Sequence, residues 1–124
     1  MLTDEQLMRY NRQILLNDFD IAGQERLQQS RVLVVGLGGL GCPASLYLAA
    51  AGVGELVLVD GDAVELSNLQ RQIAHSEVDI GANKARSAAA SIAALNPQVK
   101  LEIFEQPLIE GAMAALLSRV DLVL

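Results

Sequence analysis

Two short apolar runs, Val32-Leu33-Val34-Val35 and Leu56-Val57-Leu58-Val59, enclose a cluster of glycines and an alanine-rich stretch. Each run is continuous rather than alternating, and each is rich in β-branched residues. That pattern predicts strands buried on both faces, as in a parallel sheet. Strand, helix and strand within roughly thirty residues make a βαβ unit. Aromatic residues are only 3% of the chain while apolar residues reach 52%. The core must therefore come from Val, Leu, Ile and Ala, which suits such a sheet under helices on both faces.

The glycines sit where the first strand should meet the helix. Gly36-Leu37-Gly38-Gly39-Leu40-Gly41 fits G-x-G-x-x-G, with one glycine more than the pattern needs. The first glycine permits a tight turn, the second a close approach of phosphate to backbone, and the third tight helix–strand packing. The helix N-terminus adds unpaired N–H groups and a positive dipole end. Asp60 follows at the end of the second run, where a carboxylate accepts hydrogen bonds from ribose hydroxyls. Together these features point to a nucleotide with a ribose, and NAD is the commonest reading of them.

The next segment is polar. Ser67-Asn68-Leu69-Gln70-Arg71-Gln72 is dense in hydrogen-bond donors, and Lys84 lies further on. Arg71 and Lys84 are the only cations between Arg31 and Arg86. Cations beside a glycine loop favour a triphosphate over a diphosphate. On spacing alone, solvated surface charges fit them equally well.

The remaining chain extends the same plan. Leu7, Tyr10 and Ile14 recur at helical spacing, with Thr3 as N-cap and Gln6 as its capping-box partner. A second helical stretch is expected over Ile21–Gln29. Helices are expected over Gly39–Ala51, Gly81–Leu95 and Ile109–Arg119. Strands are expected over Arg31–Gly36, Leu56–Asp60, Val99–Phe104 and Val120–Leu124. The expected fold is a single nucleotide-binding domain over 1–124. It comprises a helical arm over 1–30 and a Rossmann-like, mostly parallel α/β part over 31–124, with helices on both faces. Because the chain stops inside a strand, it reads as the N-terminal part of a longer protein.

Several blocks taken together carry a family resemblance. They are Arg9-Tyr10-Asn11-Arg12-Gln13, the glycine loop, Ala51-Gly52-Val53-Gly54, Asp60, Ser67 to Gln72, and Lys84. In this order they resemble the bacterial relatives of ubiquitin-activating enzymes: the molybdopterin-synthase and thiamine-pathway sulfur-carrier adenylyltransferases. The match runs from about Leu7 to Leu124. The resemblance implies ATP and Mg²⁺ as the nucleotide and its metal, with Gly36, Gly38, Gly39 and Gly41 under the nucleotide. Asp60 would hold the ribose. Ser67, Asn68, Leu69, Gln70, Arg71 and Lys84 would line the nucleotide, with Asn68, Arg71 and Lys84 on its phosphates. Arg12 would act across a homodimer as an arginine finger. The implied partner is a small ubiquitin-like sulfur-carrier protein whose C-terminal glycine becomes an acyl-adenylate. Relatives continue into a magnesium-holding acidic motif and often into Cys-x-x-Cys zinc pairs, so zinc is expected only outside this chain, and the chain alone is expected to be weakly active or inactive. The thiamine-pathway enzyme, an NAD-dependent oxidoreductase domain and an inactive dimerisation module are the competing readings.

The net charge of −6 argues against nucleic acid or an anionic membrane as the main partner. With one cysteine, Cys42, the chain forms no internal disulfide and no cysteine-based zinc site. A reducing, cytoplasmic setting is expected. The start of the chain lacks the apolar run of a signal peptide, and no stretch is long enough to span a bilayer. Cys42 is expected to be a packing residue. His75, the only histidine, is expected at the surface or as a cap.

Overall fold

The computed structural model describes all residues, 1–124. The helical arm comprises α1 (Asp4–Arg9), α2 (Asn11–Ile14) and α3 (Asp20–Gln29). The α/β part runs β1 (Arg31–Val35), α4 (Gly41–Ala51), β2 (Glu55–Val59), α5 (Lys84–Leu95), β3 (Lys100–Phe104), α6 (Glu110–Leu117) and β4 (Leu122–Val123). Two short 3₁₀ turns, Leu66–Asn68 and Glu77–Asp79, interrupt the long connection from β2 to α5.

The four strands are parallel and ordered β3-β2-β1-β4. Val32 pairs with Leu56 and Val34 with Leu58. Successive side chains on a strand point to opposite faces. Val32, Val34, Leu56 and Leu58 therefore pack in the larger core with Cys42, Ala49, Ala85, Ala88 and Ile92 of α4 and α5. Leu33, Val57 and Val59 face the other way, onto Leu116 of α6. Helices thus cover both faces of a parallel Rossmann-like sheet, as the continuous apolar runs require. No helix is long and apolar enough to cross a membrane.

The strand order matters for the site. From β1 the chain proceeds outward to β2 and β3, then returns to the opposite side of β1 as β4. In an open parallel sheet, ligands bind at the carboxyl ends of the strands where the order reverses. That switch point adjoins β1, whose carboxyl end carries the glycine loop.

Several boundaries differ from those read in the sequence. The opening helix is broken at Tyr10, so Leu7 and Ile14 lie in separate short helices. Tyr10 is buried and its hydroxyl accepts from Asn96 Nδ2 at 2.8 Å, a tertiary anchor that overrides the local period. The Thr3–Gln6 capping box forms as expected. The helix expected from Gly39 starts at Gly41, and the one expected from Gly81 starts at Lys84. Gly81 has φ +90°, incompatible with a helix, and Asn83 is the N-cap, accepting from Arg86 N.

Candidate nucleotide site

The site begins with the turn out of β1. Gly36 has φ +92°, a conformation that side chains rarely adopt. A Cβ on Gly41 would lie 1.8 Å from the Gly36 carbonyl oxygen, so the helix approaches the strand as closely as it does only because Gly41 has no side chain. Gly38 and Gly39 are different. Around them a Cβ would meet nothing closer than Gln72 Nε2 at 3.6 Å and Arg71 Cδ at 3.8 Å respectively. The protein leaves room there, and the missing side chains open the backbone to whatever approaches from outside.

What the loop offers is donors. Cys42 N–H bonds to the Gly38 carbonyl and Ala44 N–H to that of Leu40. The N–H groups of Gly38, Gly39, Leu40 and Gly41 have no acceptor in the chain, and no side chain caps α4 at its N-cap, Leu40. Consecutive free donors at the positive end of an eleven-residue helix form an anion site.

Asp60 lies beside this loop. Its Oδ2 accepts from Leu37 N–H at 2.7 Å and its Oδ1 from Asp62 N–H at 2.8 Å. A carboxylate oxygen accepts more than one hydrogen bond, so Asp60 ties the loop to β2 and still has lone pairs for a ribose.

Arg71 and Lys84 both reach the same neighbourhood. Arg71 lies over Gly39 and is exposed, its Nη1 donating to the Ser67 carbonyl at 3.0 Å. Lys84 opens α5, with its N–H on the Asp62 carbonyl at 2.9 Å. Only 8% of Lys84 is exposed, yet no carboxylate lies within ion-pair distance of its ammonium group. Its stem is packed away while its ammonium group still reaches solvent, so the charge stands unpaired and open to an incoming anion. By contrast Arg9, Arg31, Arg86 and Arg119 are all paired with glutamates.

Asn68 is buried, and its Oδ1 caps the 3₁₀ turn by accepting from Glu65 N–H, which leaves its Nδ2 without a partner in the chain. Ser67 and Gln70 are exposed and Leu69 half-buried on the same turn, with no contact that ties them to the glycine loop. Arg12 is not part of this cluster. Its neighbour Gln13 donates to the Ala51 carbonyl at the far end of α4, about 16 Å of helix away from the glycine loop. No three His, Cys, Asp or Glu side chains are grouped to hold a metal ion.

Two readings of single residues need correction or addition. His75 is not at the surface: it is 5% exposed and lies beneath the glycine loop. Its Nε2 is 2.9 Å from the Leu37 carbonyl oxygen and its Nδ1 is 2.8 Å from Ser87 Oγ. Sequence reasoning missed it because only the tertiary fold brings residues 37, 75 and 87 together. Gln72, whose amide borders Gly38, is also buried and its Oε1 has no partner. Its place directly after Arg71 was the available signal. Cys42 is a packing residue, as expected. Burial pushes its thiol pKa up, which outweighs the pull of the Ala74 backbone and of Lys84, so it stays a protonated S–H.

Comparison with known proteins agrees with this geometry. The chain matches the ThiF family over residues 10–124. It is 52% identical to the molybdopterin-synthase adenylyltransferase of Escherichia coli K12, over 99% of this chain and 49% of that protein. It is 49% identical to the sulfur carrier protein ThiS adenylyltransferase of the same organism, again over 99% and 49%. Among solved structures, the crystal structure of SeMet PaaA superposes with a TM-score of 0.93 at 40% identity, covering 98% of this chain and 41% of that one. The E. coli tRNA N6-threonylcarbamoyladenosine dehydratase TcdA, solved in complex with ATP, superposes with a TM-score of 0.86 at 26% identity, covering 95% and 48%. The chain spans about half the length of the curated relatives it matches. With a family match over nearly all of its residues and relatives at half identity, the chain belongs to the ThiF family.

Proposed function

We propose that the protein carrying this chain is an ATP-dependent adenylyltransferase acting on a small ubiquitin-like sulfur carrier. The carrier's C-terminal glycine carboxylate attacks the α-phosphorus of ATP. The bond from that phosphorus to the bridging oxygen breaks, pyrophosphate leaves, and an acyl-adenylate remains on the carrier. No protein nucleophile is required. The work is to hold two anions together and to neutralise the charge that grows in the transition state.

One observation carries the reading: four free N–H groups at the start of α4 lie on the same sheet edge as Lys84, whose stem is buried and whose ammonium group is unpaired. A diphosphate would be served by the helix terminus alone. The added cations Lys84 and Arg71 suit a triphosphate, with Asp60 on the ribose and Asn68 Nδ2 as a further donor. Gly36 and Gly41 shape the turn, while Gly38 and Gly39 leave the nucleotide room. Ser67, Leu69 and Gln70 line the outer side. Mg²⁺ would arrive with the nucleotide, held by its phosphates, and would offset their charge. The adenylyltransferase names of the two E. coli relatives and the ATP bound to TcdA support the same assignment. ATP chemistry and a free thiol fit a cytoplasmic setting.

Arg12 acts in trans in this reading. The arm is anchored at the C-terminal end of α4, so Arg12 is a helix length from its own glycine loop. A second copy must bring it to the phosphates, which makes the working enzyme a homodimer. The carrier is of the molybdopterin-synthase type, with the thiamine-pathway carrier as the second reading, because the relatives of both kinds match almost equally well.

The test is carrier-dependent exchange of labelled pyrophosphate into ATP by the intact protein, with each carrier type in turn. Exchange with one carrier supports the reading and names the pathway; no exchange with either contradicts it. Mixing Arg12→Ala with Lys84→Ala protein tests the trans arrangement. Activity should reappear in the mixture, because one of the two mixed sites regains both residues. A mixture as inactive as its parts would place Arg12 outside the partner's site.

A further inference from the structure

The family reading leaves His75 without a task, although it is buried against the nucleotide loop. It contacts a single peptide group of that loop. The chain has no cis peptide bond, so in the unit joining Leu37 to Gly38 the carbonyl and the N–H point in opposite directions. The carbonyl of this unit points down, onto His75 Nε2 at 2.9 Å. Its N–H, that of Gly38, is the first of the free donors. Whatever fixes the direction of the Leu37 carbonyl therefore fixes the aim of the Gly38 N–H.

That direction needs fixing. The unit before it is held by Asp60, which accepts from Leu37 N–H. The Leu37–Gly38 unit can turn over by rotation about ψ of Leu37 and φ of Gly38, and glycine opposes such a rotation least of all residues. A turned unit would present a carbonyl oxygen, not an N–H, to an anion. Two groups oppose the turn. The Cys42 thiol donates to the Leu37 oxygen at 3.3 Å, a weak bond. The imidazole supplies the strong one. With Nε2–H donating, Nδ1 is the acceptor, and the Ser87 hydroxyl donates to it. Ser87 lies on α5 one turn beyond Lys84, so the ring also ties the loop to the helix that carries Lys84.

We infer that His75 is a positioning residue of the nucleotide site, a lock on the Leu37–Gly38 peptide that keeps the Gly38 N–H aimed at phosphate and in register with Lys84. The inference rests on the ATP reading above and adds to it a residue that touches no ligand.

The experiment is calorimetric titration of the intact protein with ATP·Mg²⁺, with melting temperatures measured in parallel. The variants are His75→Ala, His75→Gln and Ser87→Ala. The Gln amide keeps a donor near the position of Nε2 but has nothing in place of Nδ1. His75→Ala should raise Kd about five- to thirtyfold, the effect of one buried hydrogen bond. His75→Gln should recover most of the affinity without recovering the melting temperature. Ser87→Ala, which only loosens the ring, should raise Kd about two- to fivefold. Affinity that tracks melting temperature across all three variants would overturn the proposal and leave a purely structural histidine. So would His75→Ala or, where that variant does not fold, Ser87→Ala and His75→Gln binding as the wild type does. A wild-type protein that takes up no ATP·Mg²⁺ would fail separately, removing the nucleotide reading and this inference with it.

Discussion

Helix α4 has one end built to be completed and one end already complete. At its N-terminus four N–H groups lack acceptors, and Lys84 and Arg71 nearby lack carboxylates. At its C-terminus the last carbonyls are covered by side chains. Asn96 Nδ2 donates to Ala49 at 2.8 Å, and Gln13 and Gln24 both donate to Ala51. Gln13 and Gln24 bond to each other, and Tyr10 completes the group through Asn96. Both ends of a helix leave orphan groups, and buried orphans are costly. The arm resolves one end within the chain. The other end waits for a ligand. The contrast between the two ends of this one helix is what makes its N-terminus the candidate site.

Glycine substitutions test the contrast most severely. Gly41→Ala at the open end should destabilise the fold by at least ~3 kcal/mol, because the new Cβ would sit 1.8 Å from a backbone oxygen. Gly54→Ala at the amino edge should do the same, facing the Gln28 oxygen at 1.8 Å. Gly38→Ala, whose Cβ would meet only Gln72 Nε2 at an ordinary contact distance of 3.6 Å, should leave stability within about 0.5 kcal/mol and weaken ATP binding. Urea unfolding and calorimetry separate the two effects, and a Gly38→Ala loss of stability equal to that of Gly41→Ala would erase the distinction between shaping and opening glycines.

The charge at the open end comes next. Lys84→Ala should weaken ATP binding by about 2–3 kcal/mol, the value of a hydrogen bond to a charged group. It should change the melting temperature little, since the ammonium group makes no hydrogen bond or ion pair within the chain. Unchanged affinity would revive the inactive-module reading.

At the closed end the expectation is reversed. Asn96→Ala should cost about 1–3 kcal/mol of stability by leaving the Tyr10 hydroxyl without its donor and the Ala49 carbonyl with only the Gly52 N–H. ATP affinity should not change. A variant that unfolds more easily and also binds ATP less tightly would show that the two ends are coupled.

The smallest effect lies between them, on the turn that precedes α5. The Ser76 N–H bonded to the Asp79 carboxylate, more than any other neighbour, holds that carboxyl below its ordinary pKa. A depressed carboxyl stabilises the fold above its unfolded pKa, and the contribution fades as pH falls through the folded value. Asp79→Asn should therefore lower the melting temperature slightly at neutral pH, and the difference should vanish in acid. A difference that persists below the carboxylate range would assign it to packing.

The sequence carried the local features well. Continuous Val and Leu runs predict buried parallel strands because side-chain period and burial are local facts, and β1 and β2 form where they are expected. The turn-shaping roles of Gly36 and Gly41 were legible for the same reason, being fixed by the geometry of one turn. The features that escaped depend on distant residues. Tyr10 continues a helical period but is drawn out of it by Asn96. His75 looks like one more polar residue in a polar segment until the connection from β2 to α5 folds beneath the glycine loop. The late start of α5 was available in principle, since Asn83 is among the preferred N-cap residues. Arg12 shows the opposite case. Its role came from family resemblance alone, and the fold adds only that it sits far from its own site.

In the proposed function, the open end of α4 and the unpaired Lys84 together hold a triphosphate. Calorimetric titration of the intact protein with ATP·Mg²⁺ and, in parallel, with NAD tests it most directly. Heat is expected from ATP·Mg²⁺, greatly reduced in Lys84→Ala, and none from NAD. Binding of NAD with silence from ATP·Mg²⁺ would contradict it and return the chain to the oxidoreductase reading of its glycine loop.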